Sequence, residues 1–451
     1  MARVDQSTLE RTVTSFFSRV LLNQGRIAIS RNVTEWRRRL GGRAHEVHYF
    51  HEVDDPYSYL AAQTLGPLAK RYDIELVPHL ADPAVGPDIP EPELLARLAR
   101  RDVATVAPFY GLDCPKDGGP ADAASVQQAK GLLAAAVREP GAPRFAALAT
   151  AVGAALLTAD KNAMEALARS HPVADPSDAD AEAEAGRALR DSLGHYSGAT
   201  FHYGAEWYWG VDRLHHLERR LQALGADPAR GEILYPRPPI QSGPVARAAE
   251  MTLEVFPSLR SPYTAIGFEP TLRLAAATGI GLETRPVLPM VMRGVPATLR
   301  KGVYIMTDTH REAEALGMPF GPMFDPIGDP VRRGYSLWPF ARSKGRGDAF
   351  LAGFLRMAFS EARNMGTDAS LQRLVDEVGL DWSEARAHLD QPGWQDEIET
   401  NRLAMIDEMG QWGVPSFRLR GPADEPDLAV WGQDRLFVVA AEIQRRGQAS
   451  P

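Results

Sequence analysis

Two dipeptides carry the first chemical signal. Ser261-Pro262 and Asp55-Pro56 each stand where a β-type run passes directly into a helical pattern. Serine and aspartate are favoured helix caps and proline is favoured at the first helical position, so capping alone accounts for both pairs. A helix start also offers free backbone N–H groups and the positive end of the dipole, which together stabilise an anion such as a thiolate. A serine hydroxyl placed there can donate to the sulfur. An aspartate carboxylate disfavours a neighbouring anion. Thiolate chemistry is therefore expected at Ser261 and not at Asp55. Gly413-Val414-Pro415-Ser416-Phe417 precedes a second β run. It reads as an ordinary loop proline or, if the bond is cis, as a turn presenting the Val414 N–H and C=O to an extended peptide. The matching place in the first half, Gly198-Ala199-Thr200-Phe201, lacks the proline. Trp-Gly-x-Asp-Arg occurs at 209–213 and again at 431–435. Asp212 and Asp434 there are helix caps, or groups that recognise a ligand's α-amino end.

Other reactive side chains offer less. In a strand His48 points away from His45 and His51, and those two lie about 20 Å apart along an extended chain. No metal can bridge them. His215-His216 lacks a third ligand in sequence, and no metal site is expected. The single cysteine, Cys114 in YGLDCP, reads as a small structural residue. One cysteine also excludes a disulfide framework and a CxxC redox pair, so thiol–disulfide exchange has no resolving thiol.

The elements that must position these residues come in two sets. VHYFHEVDDPYSYL (47–60) matches LEVFPSLRSPYTAI (253–266), IELVPHL (74–80) matches LETRPVL (282–288), and WGVDRLHHLERRL (209–221) matches WGQDRLFVVAAEI (431–443). Three ordered matches at slowly growing offsets indicate an internal duplication. Each copy opens with a strand (46–53, 252–259), a helix (56–71, 262–277) and a second strand (74–79, 280–287), a parallel βαβ unit with a right-handed crossover. Long stretches with helical spacing follow, 92–190 and 300–410. Two short β runs and a final helix close each copy, at 416–421, 427–432 and from Asp434 in the second. The expected fold class is α/β: two tandem thioredoxin-like folds, each with an inserted helical subdomain. Residues 1–44 form a basic, partly amphipathic helical leader expected to pack on the first domain, with a membrane-surface role as the minority alternative. The domains span 45–224 and 251–447, joined by a Pro/Gly-rich linker at 225–250. The acidic run 176–186 reads as a solvated loop or a helix start.

The chain of 451 residues is 44% hydrophobic and 24% charged with net charge −8, an ordinary globular balance that gives no hint of a nucleic-acid surface. No stretch is apolar enough to span a membrane, and the charged beginning MARVDQSTLERT lacks a secretory signal's apolar core. A cytoplasmic protein without nucleic-acid or membrane partners is expected.

With Arg-Lys-Gly-Val-Tyr (300–304), AEALGMPF (313–320), Gly-Val-Pro-Ser-Phe (413–417) and Trp-Gly-Gln-Asp-Arg-Leu (431–436) added to Ser-Pro-Tyr-Thr, the second copy resembles the kappa-class glutathione transferase and 2-hydroxychromene-2-carboxylate isomerase branch of the DsbA-like thioredoxin superfamily. The first copy matches only at its ends and around 110–115. The resemblance implies glutathione as cofactor, with Ser261 hydrogen-bonding its sulfur and Lys301 contacting it. It further implies that Val414, before a cis Pro415, pairs with the cysteinyl part, and that Gln433 and Asp434 hold the γ-glutamyl end. Where the family often has an asparagine, about nine residues before the lysine, this chain has Met292 and Arg293, and Arg293 reads as facing a substrate carboxylate. Tyr263, Phe320, Trp338 and Trp412 are candidate walls for a small, aromatic or unsaturated second substrate, or else plain core. The implied activity is isomerisation or conjugation. The alternatives are a non-catalytic binding scaffold, or a DsbA-family protein called an oxidoreductase without a CxxC. Because the family dimerises, the tandem is expected to be a pseudo-dimer within one chain, with a homo-oligomer as the other arrangement.

Overall fold

The computed structural model describes residues 4–138 and 142–448. Two helices come first, α1 (Thr8–Leu21) and α2 (Gln24–Leu40). The chain then divides into an N-terminal unit, 28–238, and a C-terminal unit made of 1–27 and 239–451.

In the N-terminal unit β1 (Glu46–His51) passes through α3 (Pro56–Arg71) into β2 (Glu75–Leu80). The helical insertion comprises α4 (Pro92–Val106), α5 (Ala123–Val137), α6 (Ala142–Leu157), α7 (Lys161–Ser170) and α8 (Pro176–Ser192). Then come β3 (Thr200–Tyr203), β4 (Glu206–Trp209) and α9 (Leu214–Ala223). The sheet order is β2-β1-β3-β4, with β1 and β2 parallel and the other pairs antiparallel. Val47, Tyr49, Leu65 and Phe201 are fully buried in its core.

The C-terminal unit repeats that plan. β5 (Thr252–Phe256), α10 (Pro262–Thr278) and β6 (Gly281–Thr284) lead into α11 (Leu299–Leu316), α12 (Asp329–Ser343), α13 (Gly347–Phe359), α14 (Asp368–Glu377), α15 (Trp382–Arg386) and α16 (Gln395–Leu403). β7 (Ser416–Arg420), β8 (Leu428–Trp431) and α17 (Leu436–Arg446) finish it. The order β6-β5-β7-β8 is the same, and Glu46 opposite Glu75 in one sheet corresponds to Thr252 opposite Gly281 in the other.

Departures from the expected layout have plain causes, and the acidic run follows one of its two expected readings. β5 ends at Phe256 because Pro257 follows and has no N–H for the ladder, although Arg285 and Val287 beyond β6 still donate to the Val255 and Pro257 carbonyls. The acidic run is the start of α8, where Asp178 and Glu182 meet Arg138 and Asp180 meets Lys130. The leader's first helix belongs to the C-terminal unit and not to the first domain. Arg11 Nη1 donates to the Asp325 carbonyl at 2.8 Å, and the Met323 N–H donates to Ser18 Oγ at 3.1 Å. The linker divides as well: Leu234 and Tyr235 donate to Glu218 of α9, whereas Ala246 donates to Gly447.

Candidate functional site

The site grows from three segments of the C-terminal unit: the start of α10, the loop before β7 and the turn before α17. Ser261 caps α10 in an extended conformation and its Oγ accepts the Thr264 N–H at 3.1 Å. A hydroxyl that accepts in this way keeps its own proton to give. Here the proton goes to the Val414 carbonyl, 3.3 Å away, and the Val414–Pro415 bond is cis. The helix mouth and the loop therefore face each other through one hydrogen bond, and Ser261 and Val414 are both half-buried.

Gly267 explains how the third segment comes close. A Cβ on Gly267 would lie 2.8 Å from Gln433 Cβ and 3.7 Å from Pro415 Cγ. A side chain at this point of α10 would wedge both apart. Gln433 does not reach outward: it is buried, and its amide donates to Glu312 Oε2 at 2.7 Å. The side-chain contact that the resemblance implies for a ligand is thus already taken by Glu312. At Gly432 φ is +115°, and a Cβ there would stand 2.4 Å from Asp434 Oδ1, so the Asp434 carboxylate folds over a position that requires glycine. Arg435 Nη1 lies 3.7 Å from the same carboxylate oxygen.

Lys301 stands half-buried in the first turn of α11, which is capped by Thr298. Tyr263 ties α10 to this helix by donating to the buried Asp308 at 2.8 Å. Of the other proposed wall residues, Trp338 and Trp412 are core, while Phe320 stacks on Phe359 with centroids 6.1 Å apart. Arg293 donates from Nη2 to the Trp412 carbonyl at 2.7 Å, two residues before Val414. Burial, helped by the like charge of Arg402, lowers its pKa to about 10. Its Nε is buried without a hydrogen-bond partner, and among the described residues no carboxylate pairs with the guanidinium.

The N-terminal unit closes the corresponding place with its own side chains. Asp55 caps α3 and accepts from the Tyr57 and Ser58 N–H groups and from Ser58 Oγ. Ser58 Oγ in turn accepts from the Glu52 and Ala199 N–H groups. Gly198 occupies Val414's position and presses on Glu52: a Cβ there would meet Glu52 Cγ at 2.8 Å. The Glu52 carboxylate takes the Gly198 N–H, and Arg190 Nη1 holds Oε1 at 2.5 Å. Burial outweighs Arg190 and pushes Glu52 up to about 7. The plug has no local sequence signal, because Glu52 stands 138 residues before Arg190 and still further before Gly198. Cys114, partly buried, has its thiol pushed up by burial.

Residues 252–444 match the family described as DSBA-like thioredoxin domain. No curated relative matches the chain. Similar solved structures include a 2-hydroxychromene-2-carboxylate isomerase, at 19% identity over 43% of this chain and 95% of that one, with TM-score 0.36. A probable DsbA oxidoreductase from Streptomyces coelicolor shares 23% identity over 45% of this chain and 92% of its own, with TM-score 0.35. The cytosolic disulfide reductase DsbM from Pseudomonas aeruginosa, solved with GSH, shares 19% identity over 43% and 99%, with TM-score 0.34. Strand order, the capped α10 and the family match agree, and the C-terminal half of the chain is a DsbA-like thioredoxin domain.

Proposed function

We propose that the C-terminal unit binds glutathione with its sulfur at Ser261 and acts as a glutathione-dependent isomerase or transferase on a small, aromatic or unsaturated substrate. The observation that carries this reading is the Ser261 hydroxyl, at the mouth of α10 and donating to the Val414 carbonyl. Val414 would pair its backbone with the cysteinyl residue of the tripeptide. Ser261 would then turn its proton from that carbonyl to the sulfur. A donor hydrogen bond and the helix N-terminus both favour the thiolate, so the thiol proton leaves to solvent at lower pH. The thiolate would add to one carbon of an activated double bond, whose π electrons move onto the conjugated carbonyl. If that electron pair returns and expels the thiolate after rotation about the former double bond, the outcome is isomerisation; if the adduct takes a proton from solvent and is released, the outcome is conjugation. Asp434 would hold the γ-glutamyl amine, Lys301 would contact glutathione, and Arg293, a guanidinium without a carboxylate, would take a carboxylate on the second substrate.

The residues fit a thiol peptide at its sulfur end. The inward turn of Gln433 onto Glu312 favours a second reading, a binding scaffold without catalysis. A dithiol mechanism has no support, because the chain has one cysteine. Calorimetric titration with glutathione separates the readings. Saturable binding lost in Ser261→Ala supports the enzyme, and no binding up to millimolar glutathione leaves the scaffold.

A further inference from the structure

The two leading helices are amphipathic the wrong way round for a soluble core. A surface helix normally buries its apolar stripe and exposes its polar face. On α1 the buried residues are Arg11, Ser15 and Ser18, of which Arg11 docks on the Asp325 carbonyl and Ser18 on the Met323 backbone of the C-terminal unit. Leu9, Val13 and Phe16, spaced by four and three, point to solvent, and Phe16 is 67% exposed. On α2 no residue is buried. Arg31 reaches Glu206 with two hydrogen bonds and ties this face to the N-terminal unit, while Arg38 bonds within the segment, to Glu35 and the Arg43 carbonyl. The opposite face carries Ile29, Val33, Trp36 and Leu40, spaced by four, three and four, with Trp36 61% exposed.

The charges beside the α2 stripe select its occupant. At about 100° per residue, Arg26 and Arg37 fall on one flank of the stripe and Arg39 on the other. All three are exposed; Arg39 is held by Glu35 at 2.5 Å, whereas Arg26 and Arg37 can reach past a buried apolar face to anionic headgroups. Residues 1–44 carry nine arginines against three carboxylates in a chain of net charge −8. A second copy of so acidic a chain would meet this segment at one spot only, whereas an anionic bilayer meets apolar stripe and arginine flanks together. No helix among the described residues is long and apolar enough to cross a membrane, so the contact is one that lies in the interface plane.

We propose that α2 is a lipid-facing helix that seats Ile29, Val33, Trp36 and Leu40 in an anionic membrane surface, with α1 built on the same plan. The proposal runs against the expectation of no membrane partner, and the experiment decides between them. The test is cosedimentation of the full chain with phosphatidylcholine vesicles, with and without phosphatidylglycerol. The expected result is pelleting with the anionic vesicles only, released by high salt. Arg26→Glu with Arg37→Glu should lower partitioning about tenfold or more, and Ile29→Glu with Trp36→Glu should abolish it. All four side chains are exposed, so thermal unfolding and glutathione titration should match the parent chain. Failure of the parent chain to pellet with anionic vesicles overturns the proposal. So does a dimer in sedimentation velocity that Trp36→Glu converts to monomer, which would assign the stripe to a second copy.

Discussion

His48, His79 and His202 stand on one face of the N-terminal sheet; Glu254, Arg285 and Arg418 hold the same three places in the C-terminal sheet. His48 lies opposite His202 as Glu254 lies opposite Arg418. His79 pairs with Phe50 and stacks on it with centroids 4.9 Å apart, while the Arg285 guanidinium lies 5.3 Å from the Phe256 ring. Backbone and register agree, yet one face is filled by imidazoles and the other by an ion cluster. In the first, His48 Nδ1 and His79 Nε2 are 2.9 Å apart, and His48 Nε2 lies 2.8 Å from Glu46 Oε1. In the second, the buried Glu254 carboxylate is met by Arg285 at 3.2 Å, by Arg420 at 3.2 Å and by Arg418. The difference teaches that the register fixes where polar groups meet, while the side chains fix what pH and mutation do to them.

The sharpest way to break the comparison is Glu254→Ala. It leaves Arg285 and the buried Arg418 without their shared carboxylate. Removing one partner of a buried ion pair costs roughly 3–5 kcal/mol. His48→Ala at the same register position removes a partly exposed imidazole and should cost about 1 kcal/mol or less. Urea unfolding of both variants checks this. Equal losses would mean that the two faces are equivalent after all.

Ser261→Ala comes next. A hydrogen bond to a charged group contributes about 1.5–3 kcal/mol, so glutathione turnover, or binding at a pH where the thiolate forms, should fall about tenfold to a hundredfold. The first copy supplies the control. Its Asp55 should be dispensable for glutathione, because Glu52 already occupies the Gly198 N–H.

How far the sequence led is visible at these places. The two βαβ starts were legible because a cap followed by proline punctuates the strand-to-helix junction, and both helices begin at the expected residue. The Ser261–Val414 pairing was legible because each partner sits in a local motif. The histidine face was not. His79 and His202 carry no local signal, and only strand pairing sets them beside His48. Glu52 and Gln433 were hidden for the same reason, since their partners Arg190 and Glu312 are more than a hundred residues away. The docking of α1 depended on backbone carbonyls at 323 and 325, which a side-chain pattern does not reveal.

The histidine face gives an acid-side prediction. Burial, then the neighbouring His48, lowers His79 to about 4 and His202 to about 4 from an ordinary value near 6.5. A base whose pKa is lowered in the fold stabilises the native state while it is neutral. That contribution is complete above pH 6.5 and is lost as pH falls from 6.5 through 4. The N-terminal unit should lose on the order of 2 kcal/mol per histidine by pH 5. His79→Gln with His202→Gln should flatten that limb of the stability–pH curve. Glu52 works in the opposite sense: its carboxyl, raised to about 7, favours the fold when protonated, so its contribution fades as pH rises from 4.5 through 7. Glu52→Gln should remove that fade, while the buried His51, lowered to about 3, keeps an acid-side loss of its own.

Asp55→Ala should give a small and local effect. Asp55 accepts two backbone N–H groups at the start of α3 and the hydroxyl of Ser58. A lost cap of this kind costs about 1 kcal/mol. The Ser58 hydroxyl would still accept from Glu52 and Ala199, so the plug should stay shut and the loss should remain local. Glutathione titration should be unchanged, in contrast to Ser261→Ala at the equivalent cap. A titration that shifts in Asp55→Ala would mean that the first helix mouth takes part in ligand binding, and the division between an open cap at Ser261 and a closed one at Asp55 would fall.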